Sequence, residues 1–351
     1  MNINDINYFG KKLKVLNSPS YNYIFHYKNG LFMRWGKTVK DNPSYSPFGP
    51  EILDIEISTI CSNGCKFCYK SNTAEGINMD WGTFKNILDK MPKTLTQVAL
   101  GVGDIDANPH LLSILSYCVT KSIVPNITIN GRHMTPMHYA VLKEKCGAVA
   151  VSLYDYNTCY DAVKELTDRG MKQTNIHCLL SNETFDKCMN VLKDAKTDKR
   201  LSKLNAIVFL WLKPKGSRNN LTQLDSLDKF KELVDYAFKN DIGIGFDSCS
   251  AGNFMKVIKG HKHYDKIEEM IEPCESTLFS YYINAEGKGF PCSFSEGVTG
   301  YEGIDVVKAN DFIEDVWKHD ETVKFRTDVL KKIDCNGCRN CPLYDLEVKE
   351  K

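Results

Sequence analysis

Three cysteines in the stretch "CSNGCKFCY", residues 61 to 69, are separated by three and then two residues. In a chain read as cytoplasmic, thiols this close are better suited to metal or redox chemistry than to a disulfide framework. Closed structural zinc sites take four ligands, commonly as two close pairs. Cys61, Cys65 and Cys68 form only a trio. A 4Fe-4S cube held by three thiolates keeps one iron free for an outside ligand, and open coordination is what a catalytic cofactor needs.

A second group comprises Cys274, Cys292, Cys335, Cys338 and Cys341. The first two flank "INAEGKGFPC", which reads as a hairpin with a Glu-Gly-Lys-Gly turn, so its folding brings both thiolates toward one metal. The final three offer the further pair that completes four thiolates, a set that suits structural zinc as well as iron and sulfur. Cys118, Cys146, Cys159, Cys178 and Cys188 lie singly in periodic segments and read as small buried hydrophobes.

Cys249, in "FDSCSAG", reads most simply as a buried thiol, with a ligand to the tail metal or a hydrogen donor as its alternatives; Asp247 beside it is a candidate pocket acid. His261 and His263 lack a partner pair at metal-ligand spacing and read as a solvated helix start.

The elements that must position these residues are legible as an alternation. Short strand-like runs ("ILDIEIS", "QVALG", "NITIN", "AVAVSL", "NIHCLL", "AIVFLWL", "IGIGF") are separated by stretches of helical periodicity, the βαβ rhythm of a parallel sheet. One helix is specified closely. Asp80 is its N-cap, Trp81, Phe84, Ile87, Leu88 and Met91 form one apolar stripe, and Pro92 stops it. Leu227, Phe230, Leu233, Val234 and Phe238 mark another.

Right-handed crossovers place every strand-to-helix loop at one face of an open or closed βα barrel. The cysteine trio directly follows the first strand and so belongs to that face. Before it, "YNYIFHYKNGLFMRW" predicts a hairpin turning at Asn29 and Gly30. The expected organisation is an N-terminal hairpin extension (1–50), an α/β barrel (51–250) and a cysteine-rich tail (251–351).

The 351 residues are 42% hydrophobic and 25% charged, with formal net charge +1. That balance offers no basic surface for nucleic acid and no field for a membrane. No segment has the apolar length of a membrane span, and the N-terminus lacks a secretory signal.

The C-x-x-x-C-x-x-C spacing, with Phe67 before its last cysteine and Tyr69 after it, resembles the signature of the radical S-adenosylmethionine (radical SAM) superfamily. The resemblance implies a partial (β/α)6 TIM-like barrel with a 4Fe-4S cluster on Cys61, Cys65 and Cys68. In that family the amino and carboxylate groups of S-adenosylmethionine chelate the open iron, and reductive cleavage releases a 5'-deoxyadenosyl radical that abstracts hydrogen.

Further cofactor-binding positions follow from the resemblance: Tyr69, Gly103 and Asp104 in "LGVGDIDANPHL", where the family usually has glutamate, Ser152 on the ribose side, and Gly216 in the adenine-side loop. The tail resembles the SPASM and twitch extensions, which implies one auxiliary 4Fe-4S cluster. Its ligands would be Cys274, Cys292 and two of Cys335, Cys338 and Cys341, the latter two matching the family's C-x-x-C-P pair.

The implied function is hydrogen abstraction from a peptide or protein substrate, served by an external electron donor such as a flavodoxin or ferredoxin. A small-molecule radical SAM dehydrogenase of the twitch type is the alternative. A non-catalytic zinc-binding interaction protein is the reading of a different class.

Overall fold

In the computed structural model of the chain, the segment around Asp80 shows how local chemistry builds the elements. The Asp80 carboxylate accepts the backbone N–H of Thr83 at 3.0 Å, capping the helix Trp81–Lys90. The helix ends before Pro92, and its Phe84, Ile87 and Leu88 are buried. Each such side chain contributes about 1.5–3 kcal/mol by leaving water. The structure describes residues 1–331, 333–335, 338–339, 341–346 and 348, with backbone alone at 333–335 and 338.

Four antiparallel strands open the chain: β1 (Asn2–Tyr8), β2 (Lys11–Asn17), β3 (Asn22–His26) and β4 (Phe32–Trp35), paired in that order. The β3–β4 hairpin turns at Asn29 and Gly30 as the sequence predicts, with the Gly30 N–H donating to the His26 carbonyl at 2.9 Å. The β1–β2 hairpin, turning at Phe9 and Gly10, has no counterpart in the sequence reading.

Next come β5 (Ile52–Glu56), α1 (Trp81–Lys90), β6 (Gln97–Gly101), α2 (Leu111–Thr120), β7 (Val124–Ile129), α3 (Pro136–Lys145) and β8 (Val149–Ser152). The alternation continues through α4 (Tyr156–Asp168), β9 (Thr174–Leu180), α5 (Phe185–Thr197), β10 (Ala206–Trp211), α6 (Leu227–Lys239) and β11 (Ile244–Phe246). Strands β5 to β11 are parallel and adjacent in chain order, which brings their C-terminal ends to one edge.

Alternation along each strand divides the two faces. Leu53, Ile55, Val98, Leu100, Ile127, Ile129, Val151 and Ile176 pack with apolar side chains of the helices in one core. The other, inner face carries polar groups, among them Asp54, Glu56, Thr128, Ser152 and His177.

After β11 the chain forms α7 (Ala251–Val257), α8 (Tyr264–Met270), β12 (Ser280–Ile283), β13 (Lys288–Phe290), β14 (Ile304–Asp305), α9 (Asp320–Lys331), β15 (Ile333–Cys335) and β16 (Cys338–Arg339). The hairpin expected between Ser280 and Cys292 is present, and it extends the main sheet. Strand β12 runs parallel to β5, with Ser280 opposite Ile52 and Ile283 opposite Ile55. The result is one mostly parallel ten-stranded sheet.

The N-terminal sheet packs on this later part of the chain, burying Leu16, Tyr21, Tyr23 and Phe25 with Leu278, Phe279, Phe325 and Val329. Among the described residues, no helix is long and apolar enough to cross a membrane.

Candidate metal and cofactor site

The loop that follows β5 carries Cys61, Cys65 and Cys68, all partly buried and unpaired by disulfides. The backbone fixes it from both ends. The Cys61 N–H donates to the Thr73 carbonyl at 2.8 Å, and the Asp104 N–H to the Ile60 carbonyl at 2.8 Å. Within the loop, Asn63 Nδ2 lies 2.9 Å from Cys65 Sγ as a donor to the sulfur. Burial raises the Cys61 and Cys65 thiols, and the charges of their neighbours in the trio raise them further.

Two glycines let other loops close onto this one. A Cβ on Gly103 would stand 2.0 Å from the Ile60 carbonyl oxygen and 2.7 Å from Cys61 Cβ. A Cβ on Gly216 would stand 2.3 Å from the Cys68 carbonyl oxygen, and Gly216 also has φ +107°. The loops after β6 and β10 thus pack backbone to backbone on the cysteine loop. Ser217 and Arg218 extend the grip through Ser71 Oγ at 2.8 Å and the Asn72 carbonyl at 2.8 Å.

Asp104 is buried at the centre. One of its carboxylate oxygens accepts the Ser62 N–H at 2.7 Å and the other accepts Asn130 Nδ2 at 2.9 Å. Burial acts to raise its proton affinity, but the hydrogen bonds from Ser62 and Asn130 outweigh it and hold the carboxyl below its ordinary value. The group is therefore ionised beside the thiols at neutral pH. Asn130 was missed by the sequence reading; its only signal is a polar residue closing the apolar strand "NITIN" at the sheet's C-terminal edge.

Ser152 ends β8 on the same edge, in register with His177 of β9. Tyr69 stacks on Phe294, which follows Cys292 by two residues. Below the loop, Lys70 bonds Tyr282 Oη at 2.8 Å, lies 3.1 Å from Glu56 and pairs with Glu296. This cluster links the loop after β5 to the tail. Asp54 lies open on the inner face yet walled by neighbouring strands, and the loss of surrounding water pushes its carboxyl up to about 6.

The tail thiols converge in part. Cys274 and Cys292 lie within electrostatic reach of each other and of Cys341, and burial pushes both thiols up to about 12. The side chains of Cys335 and Cys338 lie outside the described residues, although their backbones pair opposite each other in the β15–β16 ladder. Cys249, on the turn after β11, is raised by burial first and then by Asp247, Cys274 and Cys341, so it stands beside this group.

Among the described residues, no three His, Cys, Asp or Glu side chains close tightly enough to hold a single metal ion. Cys118, Cys146, Cys159, Cys178 and Cys188 are all buried. His263 is the N-cap of α8, with His261 close to it.

No protein-family model matches the chain, and no curated protein matches it. Solved structures do. SuiB of Streptococcus suis matches with a TM-score of 0.63 at 16% identity, over 80% of this chain and 68% of SuiB. SuiB has been solved bound to S-adenosylmethionine and bound to the precursor peptide SuiA. The enzyme anSMEcpe, bound to AdoMet and the Cp18Cys peptide, matches with a TM-score of 0.58 at 14% identity, over 79% of this chain and 82% of that one. The chain therefore shares its large, mostly parallel α/β sheet with structures of radical SAM enzymes.

Proposed function

We propose that the chain is a radical SAM enzyme acting on a peptide or protein substrate. One observation carries the reading: three partly buried thiols share a loop that is clasped by Gly103 and Gly216, with the ionised Asp104 beside it. This donor set fits a 4Fe-4S cluster, because Cys61, Cys65 and Cys68 offer three soft ligands and no fourth cysteine lies in their loop. Held by Cys61, Cys65 and Cys68 with S-adenosylmethionine beside it, such a cluster would supply the electron for reductive cleavage of the sulfonium, the source of a hydrogen-abstracting 5'-deoxyadenosyl radical.

The protein's own residues bind and orient. Asp104 presents a carboxylate suited to the ammonium end of an amino acid, and its fixed hydrogen bonds from Ser62 and Asn130 keep it ionised. Ser152 offers a hydroxyl for the ribose side, and Gly216 gives the adenine-side loop its close approach. Tyr69, held against Phe294, closes the space between this loop and the tail.

Several features support a peptide or protein substrate. The inner face of the sheet is broad and polar, and the SuiB and anSMEcpe structures include forms with bound peptides. Strand β1 is exposed along most of its length, an edge suited to adding a leader strand. In the tail, Cys274, Cys292 and Cys341 would contribute to one auxiliary cluster, completing the twitch-like extension.

Anaerobic purification tests the reading. The expected protein is brown and, with two clusters, carries about eight iron atoms per chain. Reduction with S-adenosylmethionine releases 5'-deoxyadenosine, and a co-encoded precursor peptide changes mass. Colourless protein with stoichiometric zinc and no 5'-deoxyadenosine would overturn it. Turnover of a small molecule with no change in any peptide would move the assignment to a dehydrogenase.

A further inference from the structure

The turn after β11 and the end of the chain are tied together. Asn253, on the helix that begins two residues after Cys249, is buried and donates to the Leu346 carbonyl at 2.8 Å. Its Oδ1 lies 3.4 Å from the Val348 N–H. Strand β16 packs against the same helix. Two residues before Cys341, Arg339 reaches the Cys274 carbonyl at 3.0 Å. A cavity of about 360 Å³ opens here, with both Cys249 and Cys341 in its wall.

From the other side, Lys215 donates to the carbonyls of Phe294 at 3.1 Å and Glu296 at 2.6 Å, fixing the loop of Cys292 over the end of β10. Lys213, paired with Asp247, lies within electrostatic reach of both Cys249 and Cys292. Cys249 and Cys341 thus share one cavity wall, Cys274 and Cys292 lie within electrostatic reach of them, and the buried Lys213 beside them is a cation that suits an assembly rich in negative sulfur.

We infer that Cys249, from the turn after the last parallel strand, is a direct ligand of the auxiliary cluster, together with Cys274, Cys292 and Cys341. The inference rests on the iron-sulfur reading of the tail. A four-iron cube takes each thiolate on a separate iron, so its ligands need to surround a volume and need not meet at one point. Each thiol gives its proton to solvent as its sulfur binds iron. Because Cys249 belongs to the sheet edge that carries the catalytic loop, this ligand would fix the auxiliary cluster to the rim of the active face and leave Cys338 outside the ligand set.

The test uses full-length chain with Cys61, Cys65 and Cys68 all replaced by alanine, purified anaerobically so that iron reports the tail alone. This background is expected to hold about four iron atoms and to give the electron paramagnetic resonance signal of a reduced cluster. Adding Cys249→Ala should remove most of that iron and the signal, whereas adding Cys338→Ala or Cys335→Ala should leave both. Cys249→Ser, which substitutes oxygen for sulfur, should shift the signal while circular dichroism stays unchanged.

Full iron in the Cys249→Ala variant with an unshifted Cys249→Ser signal overturns the inference and leaves the radical SAM reading untouched. An iron-free background overturns the auxiliary cluster itself.

Discussion

The rings of Tyr69 and Phe294 are stacked with their centroids 4.5 Å apart and an interplanar angle of 27°. Tyr69 adjoins Cys68 and Phe294 lies two residues beyond Cys292, so one aromatic contact joins the two cysteine-bearing loops. Such pairs contribute about 0.5–1.5 kcal/mol beyond the area they bury. Tyr69→Ala and Phe294→Ala should therefore be less than additive in a double-mutant cycle, with a coupling of about 1 kcal/mol from denaturant unfolding. Additive effects would mean that the two loops are held independently.

Gly103 and Gly216 make a sharper prediction. An alanine at either site would drive a methyl group into a backbone carbonyl of the cysteine loop, at 2.0 Å for Gly103 and 2.3 Å for Gly216. Neither carbonyl can rotate away as a flexible side chain would, so the loop must shift. Each variant should lose most of the iron bound by Cys61, Cys65 and Cys68 while retaining that of the tail. Gly64→Ala is the contrast: Gly64 has φ +58° and nothing within 4 Å of its missing Cβ. That substitution should cost about 1–2 kcal/mol of backbone strain and keep its iron.

These contacts mark the limit of what was legible in the sequence. Strand β6 occupies the residues of "QVALG", and α1 starts at its Asp80 cap, because alternation and capping are local. The β1–β2 hairpin escaped because β1 is largely exposed and carries no buried face to impose a pattern. The parallel pairing of β12 with β5 joins segments more than two hundred residues apart, which periodicity cannot register.

Glu56 shows the same limit at the site. Alternation in "ILDIEIS" turns it away from the apolar core, but Tyr282 and Lys70 come from elsewhere to cover it. Cys249 lay outside any recognisable cysteine spacing and meets the tail thiols only through the return of the chain.

Arg34 and Glu51 fasten the N-terminal sheet to the start of β5. Arg34 Nε and Nη2 reach the two carboxylate oxygens of Glu51 at 2.8 and 2.9 Å, and the side chains are only 5% and 6% exposed. The guanidinium also lies over Phe279, 3.4 Å from the ring centroid. Arg34→Met leaves the Glu51 carboxylate buried without its partner and should cost about 3–5 kcal/mol. Adding Glu51→Gln removes the stranded charge, so the double variant should melt at a higher temperature than Arg34→Met alone. A double variant no better than the single would assign the loss to Arg34 packing on Phe279.

His177 supplies a pH dependence whose sign is fixed by its surroundings. Burial lowers its ring to about 4 from an ordinary value of 6.5, against the opposing pull of Asp247. As pH falls through 6.5 the unfolded chain takes up a proton that the folded chain still refuses, so stability falls with pH until about 4, where the folded form titrates as well. The loss amounts to at most ~3.5 kcal/mol at roughly 1.4 kcal/mol per pH unit across this window. His177→Gln cannot bind that proton, and its unfolding free energy should be flatter than that of the parent chain between pH 6.5 and 4. Parallel curves for the two proteins across this window would show that water or Asp247 already satisfies the charged ring. The folded ring would then take up its proton at the same pH as the unfolded chain, near 6.5.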